Sequence, residues 1–196
     1  MESLVNRIIK LKEEDVSEVI RGRIREFENV ENIFHELCFC LMTANFQAEK
    51  SIFIQKEIGE GFVTLSKENL AIRLKELGHR FWPQRAECIF VARNLNLNKE
   101  WSKESRQWLI ENVKGFGMKE SSHFLRNIGV KDVAIIDFHI IDLLVAEELI
   151  QRPKSLSRKK YLEIEEVLIK LANKVNLSLA ELDLYLWYIE TGKVLK

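Results

Sequence analysis

The sequence predicts an all-α protein, and three observations support that class. Apolar residues recur at i, i+3, i+4 and i+7 along most of the chain, as on the buried face of a helix, whereas strand-like alternation is scarce. Only two prolines and eight glycines interrupt the 196 residues. No repeat, low-complexity tract or flexible linker divides the chain. We therefore expect about ten helices, arranged as one compact unit or as two small lobes.

The composition, 46% apolar and 31% charged, is typical of a soluble globular protein. The net charge is zero, which counts mildly against nucleic-acid binding, although one basic face is sufficient for it. Cys38, Cys40 and Cys88 have neither zinc spacing nor an even count, so we expect buried reduced thiols and no metal. Neither a signal peptide nor a membrane-length apolar run is found, so a cytoplasmic protein without a membrane partner is expected.

Seven helices are expected before residue 113, and they run over 4–12, about 17–28, 32–44, from after the segment 43–49 to about 58, from 66 to 78, about 83–95 and about 103–112. The third carries an apolar stripe that is expected to be buried on more than one side and comprises Phe34, Leu37, Cys38, Leu41 and Met42. Asp15 or Ser17 is suited to cap the second helix, and Ser66 to cap the fifth. Gly59 and Gly61 predict a loop. Pro83 fits the first position of a helix, where its missing N–H costs nothing.

A Gly-x-Gly turn follows at Gly115 and Gly117, because glycine accepts positive φ and lets another backbone approach closely. The next helix ends at Gly129, which fits the C′ position. Its buried face is expected to comprise Ser121, Phe124, Leu125 and Ile128. The side chains expected to face solvent or a cleft are Lys119, Ser122, His123 and Arg126. This spacing predicts a helix–hairpin–helix over about 103–128.

An apolar connector then leads to Asp137, and the segment FHIIDLLVAEEL after it is apolar nearly all round, which predicts a buried helix. Asp is a favoured N-cap, so Asp137 is expected to cap that helix or to serve chemistry. Three further features set the last two helices: Ser157 starts a helix to about 176, Ser178 and Glu181 form a capping box, and Gly192 ends the helix.

The hairpin carries the residues from which chemistry is expected. Amides at a helix N-terminus bind anions, so the turn at Gly115, Gly117 and Met118 suits a DNA phosphate. The positive helix end and burial favour the neutral form of the Lys119 amine, which is nucleophilic and forms a Schiff base with a sugar carbon. A carboxylate at Asp137 stabilises an oxocarbenium-like centre and assists proton transfer. Singly, Lys119 is an ordinary surface lysine; the combined pattern favours catalysis.

KGFGMK followed by VAIIDFHI resembles the helix–hairpin–helix DNA glycosylase superfamily. Six segments resemble the type 2 8-oxoguanine DNA glycosylase/AP lyases: ELCFCLMTANFQAE, GHRF, HFLRN, DVAIIDFHI, LSRKKYLEIE and ELDLYLWYIETGKVLK. The resemblance spans nearly the whole chain. It implies that residues 1–196 form one glycosylase unit of two helical lobes, with the hairpin at an active-site cleft between them.

In that family the lysine at the position of Lys119 attacks C1′ of a flipped nucleotide and expels the base, and the imine then permits β-elimination at the AP site. Asp137 matches the family's essential aspartate. Lys196 matches its C-terminal lysine, which helps to distinguish 8-oxoguanine from guanine. Phe81 and Trp187 resemble its base-stacking aromatics, although by themselves Phe81 suits helix-junction packing and Trp187 suits a core. The resemblance implies neither a cofactor nor an iron–sulfur cluster.

The expected partner is double-stranded DNA containing 8-oxoguanine or AP sites, bound by a monomer in the cytoplasm in association with the nucleoid. Three alternatives remain: a glycosylase for another damaged base, a non-catalytic DNA-binding module, and a helical protein-interaction domain. A basic cluster is interpreted as a solvated loop and helix start; it comprises Arg152, Lys154, Arg158, Lys159 and Lys160.

Overall fold

The computed structural model describes residues 1–196, which form twelve helices and no strand. The helices are α1 (Glu2–Lys12), α2 (Val16–Glu28), α3 (Ile33–Thr43), α4 (Ala48–Ile58), α5 (Gly61–Thr64), α6 (Lys67–Glu76), α7 (Trp82–Ala92), α8 (Ser105–Asn112), α9 (Met118–Asn127), α10 (Phe138–Ala146), α11 (Arg158–Val175) and α12 (Leu179–Thr191). The chain forms two compact units. The discontinuous unit comprises Met1–Asn29 with Leu125–Lys196, and the inserted unit comprises Val30–Phe124.

The all-α prediction is confirmed, but the number of helices exceeds the expected ten. One addition is α5, a single turn that begins at Gly61 where a loop was predicted. One capping bond and one helix boundary differ from the prediction. Asp15 lies at the N-cap position of α2, but its side chain makes no capping bond. Pro83 is the second residue of α7, which starts at Trp82 and ends at Ala92, before the expected end.

The core of the inserted unit is built on α3, which packs against α4 and α7. Its residues from Glu36 to Thr43 are all buried, and they include four residues of the predicted apolar stripe, whereas the fifth, Phe34, is half-buried. The side chain of Asn32 caps this helix by accepting the His35 N–H. The three cysteines are free and buried, as expected, and burial raises the pKa of the Cys38 thiol. These thiols are therefore packing groups and not nucleophiles.

In the discontinuous unit α12 packs against α2, α10 and α11. The predicted capping box of Ser178 and Glu181 is present, and Gly192 ends α12 in the left-handed conformation. Ser157 caps α11 by accepting the Lys160 N–H, as predicted. These local signals fixed the start of α11 and both ends of α12 because each satisfies backbone groups that the helix leaves unpaired.

The predicted orientation of α9 was only partly correct. Ser121, Phe124 and Leu125 are buried as expected, whereas Ile128 lies beyond the helix and is half-buried. Three polar residues that were expected to point away from the core are buried as well: Ser122, His123 and Arg126. Apolar periodicity does not identify polar side chains that enter a core together with a partner.

The partners of those buried polar groups are visible. The Ser122 hydroxyl donates to the carbonyl of Met118, one turn earlier, at 2.9 Å. The His123 ring lies edge-on to Phe39, with centroids 5.6 Å apart. In the discontinuous unit, the Arg126 guanidinium lies 4.5 Å from the centre of the Phe27 ring. Helix α9 is thus enclosed from Ser121 onward, and only its first turn is accessible.

Candidate active site

The hairpin between α8 and α9 depends on Gly115. This residue has φ +96°, and a Cβ on it would lie 3.2 Å from the Cys88 Sγ, so both conformation and space require glycine. Gly117 does not have a positive φ, so only Gly115 of the two uses the conformational freedom for which glycine suits this turn. Its N–H instead donates to Glu120 Oε2 at 3.2 Å, which closes the turn onto the first helical turn.

Lys119 is the second residue of α9, and 23% of its side chain is exposed. Its Nζ lies 3.3 Å from Glu120 Oε1. One carboxylate therefore contacts both the hairpin amide of Gly117 and the amine of Lys119. Glu120 was not among the residues predicted from the sequence, although an acidic residue in the first turn of a helix is a known signal for interaction with backbone amides.

Phe81 lies at the N-cap of α7 and is held by His79. The His79 Nε2 lies 3.0 Å from the Met42 carbonyl, and its Nδ1 accepts the Phe81 N–H at 3.1 Å. Because Nδ1 accepts a hydrogen bond, Nε2 carries the ring proton and donates it to Met42; burial also lowers the pKa of His79. The Arg80 guanidinium lies 4.4 Å from the centre of the Phe81 ring.

The structure brings Phe81 close to the hairpin through Arg85. The Arg85 guanidinium carbon is 5.8 Å from the Phe81 ring centre, and one terminal nitrogen would be 3.9 Å from a Cβ on Gly115. Arg85 also donates to the Ala44 carbonyl at 2.7 Å. The inserted unit therefore presents an aromatic ring, two arginines and the hairpin turn as one cluster.

Asp137 lies at the N-cap of α10, where its Oδ1 accepts the Ile140 N–H at 3.0 Å. The connector before it is fixed from α11. The Ala134 N–H donates to Glu165 at 3.0 Å, and the Tyr161 hydroxyl accepts the Ile136 N–H and donates to the Ala134 carbonyl. Because buried backbone groups are paired in this way, the carboxylate of Asp137 has a defined position.

Helix α10 is not buried all round, contrary to the prediction. Ile140, Leu143 and Leu144 form one buried face, while 66% of Phe138 is exposed. The reason is that α10 packs on α12 with one face, so the apolar residues of its other side remain accessible. The apolar sequence predicted burial of Phe138, but this residue is the first of α10 and lies on the exposed side of the helix.

Trp187 is half-buried and lies with His139 near the start of α10. The two rings meet edge-on, with centroids 5.0 Å apart, and Phe138 lies against His139 at 4.0 Å. The Trp187 Nε1 is buried and has no hydrogen-bond partner in the protein. Lys196 is half-buried at the C-terminus, four residues after Gly192.

Asp183, one turn before Trp187, is a site residue that sequence analysis missed. Its Oδ2 lies 3.5 Å from an Arg126 nitrogen, and both side chains are almost fully buried. Burial raises the pKa of Asp183 to about 6; the Arg126 charge opposes the rise, and the Asp137 carboxylate adds to it. The only sequence signal was an aspartate within the apolar ELDLYLW segment, which also suits a solvent-facing position.

The predicted residues thus fall into two groups. The inserted unit contains Phe81 and the hairpin with Lys119, and the discontinuous unit contains Asp137, Trp187 and Lys196. No group of three or more His, Cys, Asp or Glu side chains is arranged to hold a metal ion. None of the twelve helices has the length and apolar character needed to cross a membrane.

A helical fold with this hairpin is that of the helix–hairpin–helix DNA glycosylases, and comparison with solved structures confirms the class. A crystal structure of Methanocaldococcus jannaschii 8-oxoguanine glycosylase/lyase, in complex with 15mer DNA containing 8-oxoguanine, matches with a TM-score of 0.95 at 50% identity, over 99% of this chain and 100% of that one. The Thermotoga maritima 8-oxoguanine DNA glycosylase matches with a TM-score of 0.93 at 44% identity, over 100% and 99%.

The sequence comparisons define the family. A family model described as 8-oxoguanine DNA glycosylase matches residues 7–177. A Korarchaeum cryptofilum protein named 8-oxoguanine DNA glycosylase/AP lyase is 51% identical over 100% of this chain and 99% of its own. The chain belongs to the 8-oxoguanine DNA glycosylase family.

Proposed function

We propose that this protein excises 8-oxoguanine from double-stranded DNA and then cleaves the strand at the resulting AP site by β-elimination. The observation that carries the proposal is a chain of this family with Lys119 in the first turn of a hairpin helix and Asp137 at the start of the next helix. The target base must leave the duplex, because its glycosidic bond is inaccessible within stacked DNA.

Lys119 is the proposed nucleophile. Its neutral amine attacks C1′ of the extruded nucleotide, and the base departs with the electrons of the glycosidic bond. Loss of the amine proton and opening of the sugar give an imine between Nζ and C1′. A general base then removes a C2′ proton, and the imine accepts the electrons of the C2′–H bond. The 3′ phosphate leaves with the electrons of its C–O bond. The strand is thereby cut at the AP site.

Asp137 is the proposed electrostatic and proton-transfer partner. Its carboxylate stabilises positive charge on the sugar as the base leaves, and it receives a proton from the amine. The N-cap bond to Ile140 uses Oδ1, so Oδ2 remains for this role. A single residue thus anchors a helix and serves the reaction.

The hairpin at Gly115, Gly117 and Met118 is the proposed phosphate site. Backbone amides at the start of α9 bind a phosphate without reading any base. In the free protein the Gly117 N–H is already bonded to Glu120. A DNA phosphate that binds there must therefore displace the Glu120 carboxylate, and like-charge repulsion favours that displacement.

Phe81, Trp187 and Lys196 are the proposed recognition residues. The aromatic rings stack on the extruded base, while an acceptor of Lys196 receives the N7–H that 8-oxoguanine has and guanine lacks. One charge-assisted hydrogen bond is worth about 1.5–3 kcal/mol, or roughly one to two powers of ten. Guanine must therefore also be rejected during catalysis. We further propose that the protein acts as a monomer, without a membrane partner, in the cytoplasm at the nucleoid.

The test is a panel of duplexes, each containing one 8-oxoguanine, uracil, hypoxanthine, AP site or normal guanine. We expect base release and strand cleavage with 8-oxoguanine, cleavage alone at the AP site, and neither with guanine. Lys67→Gln, at an exposed lysine of α6 outside the hairpin, should retain activity. Preferential release of another base would show that the substrate is a different lesion. Tight DNA binding without cleavage of any duplex would indicate a non-catalytic DNA-binding module.

A further inference from the structure

Phe138 has a position that the proposed chemistry does not explain. It follows Asp137 directly and is the first residue of α10. Its side chain is 66% exposed, more than any other large apolar side chain of the protein. Single exposed apolar residues are common, so exposure alone implies nothing. The surroundings of this ring are what make it informative.

The Phe138 ring packs against one neighbouring ring, which is itself in contact with a third. It lies against the His139 imidazole at 4.0 Å with an interplanar angle of 36°. His139 in turn meets Trp187 edge-on, at 5.0 Å and 87°. One face of Phe138 is therefore supported while much of the ring remains in water. A fixed aromatic surface loses little conformational freedom when it binds a flat partner.

We propose that Phe138 stacks on a nucleobase adjacent to the extruded nucleotide on the strand that carries the lesion. This inference deepens the proposed function and rests on it. When one nucleotide leaves the duplex, its neighbours lose a stacking partner. An exposed aromatic ring replaces such a partner without sequence preference, because every base has a π face.

The choice of strand follows from position in the chain. Asp137 is proposed to act at C1′ of the lesion nucleotide, and Phe138 is the next residue. The bases nearest to that sugar are its neighbours on the same strand. Trp187, proposed to contact the extruded base, is linked to Phe138 through the single imidazole of His139. The three rings thus suit two successive nucleotides, one extruded and one stacked.

The first experiment measures binding of the full-length protein to a duplex with a tetrahydrofuran AP-site analogue, which is not cleaved. 2-Aminopurine is placed beside the analogue on the same strand. We expect Phe138→Ala to weaken binding roughly five- to 150-fold and to raise the fluorescence of bound 2-aminopurine, because base–aromatic stacking has about that value. Unchanged affinity and fluorescence would overturn the proposal.

Further variants separate stacking from simple apolar contact. Phe138→Tyr and Phe138→Trp should retain the affinity and the quenched fluorescence, whereas Phe138→Leu should not. Equal retention by Leu would contradict stacking. Phe53→Ala is the matched control, since Phe53 is 53% exposed on α4 of the inserted unit. It should leave binding unchanged. Thermal unfolding of each variant verifies that the fold persists.

The design keeps this inference separate from the assignment of the lesion. The AP-site analogue carries no base, so the result does not depend on which base the protein removes. Wild-type protein that cleaves no lesion duplex would defeat the proposed function. Normal cleavage by wild type, together with unaltered stacking signals in Phe138→Ala, would defeat the Phe138 proposal alone.

Discussion

Lys119 and Asp137 both lie at the start of a helix, but different parts of the sequence position them. Lys119 is set by its immediate neighbours, since Gly115 makes the turn and Glu120 closes it onto the Gly117 amide. Asp137 is set by residues far along the chain, because the connector before it is bonded to Tyr161 and Glu165 of α11.

Because Lys119 and Asp137 are positioned in different ways, substitutions near the two residues should have different effects. A hairpin fixed by local geometry depends on the conformation of one or two glycines. An aspartate placed by a buried connector depends on the packing of the whole discontinuous unit, and its charge is felt by the buried pair of Asp183 and Arg126. Substitutions around Asp137 should therefore alter stability and pH dependence, while those around Lys119 should act more locally.

The largest expected effect separates the two roles of Asp137. Asn is as good an N-cap as Asp but has no carboxylate. Asp137→Asn should therefore keep the stability within about 0.5 kcal/mol and lower single-turnover excision roughly 10²- to 10⁴-fold, the usual value of a positioned acid–base group. Asp137→Ala should lose the cap as well, at about 0.5–2 kcal/mol.

Ser157→Ala is the matched control for capping, since Ser157 caps α11. Ser157→Ala should lower the urea midpoint by about as much as Asp137→Ala does, and it should leave excision unchanged. Equal excision by wild type and Asp137→Asn would reduce Asp137 to a structural cap.

The second expected effect is on the pH dependence of folding. The folded-state pKa of Asp183 is about 6, above its ordinary value, so the folded protein binds the proton more tightly than the unfolded chain. The resulting stability is complete below pH 4 and is lost as the pH rises through about 6. Relative to Asp183→Asn, wild type should therefore lose roughly 2 kcal/mol of unfolding free energy between pH 4 and pH 7.

Urea unfolding of both proteins at the two pH values measures that change. Asp142→Asn, at an exposed aspartate paired with Arg152, is the control and should alter the pH dependence of the unfolding free energy much less. A relative gain in wild-type stability over the same range would have the opposite sign and would contradict the burial of the Asp183 charge.

The third expected effect concerns Lys196. Deleting this residue, or extending the chain beyond it, should lower 8-oxoguanine excision about ten- to 100-fold, which is the worth of one charge-assisted hydrogen bond. Cleavage of a preformed AP site should change much less, because no base is read there. Parallel losses in both assays would place Lys196 in general DNA binding or folding.

The smallest effect compares the two hairpin glycines directly. Gly115→Ala should cost about 1–3 kcal/mol, because its φ of +96° strains an L-residue and Cys88 Sγ lies 3.2 Å from the new Cβ. Gly117→Ala should change stability by less than about 0.5 kcal/mol, since its φ is not positive and Glu120 lies 3.4 Å away. Equal urea midpoints would remove the special role of Gly115.

The helical class and several caps could be predicted from the sequence because their signals are local. Ser66, Ser157, Ser178 and Gly192 each satisfy backbone groups near a helix end, whatever the rest of the chain does. Gly115 and Gly129 were identified for the same reason, since both adopt positive φ.

The failures share a different cause. Ser122, His123 and Arg126 were assigned outward because polarity was taken as exposure, yet each is buried against a partner. Arg126 pairs with Asp183, 57 positions later in the sequence, which periodicity does not detect. The prediction for Phe138 was wrong in the opposite sense, because this apolar residue was expected to be buried and is exposed. Such residues concentrate where the site is proposed, as expected if function overrides folding preference.

The central claim is that the Lys119 amine forms a covalent imine with the damaged nucleotide. Borohydride reduction during reaction with an 8-oxoguanine duplex, followed by peptide mass mapping, tests it most directly. We predict a DNA adduct on the peptide containing Lys119, which disappears in Lys119→Gln while DNA binding persists. An adduct of undiminished yield in Lys119→Gln would contradict the claim.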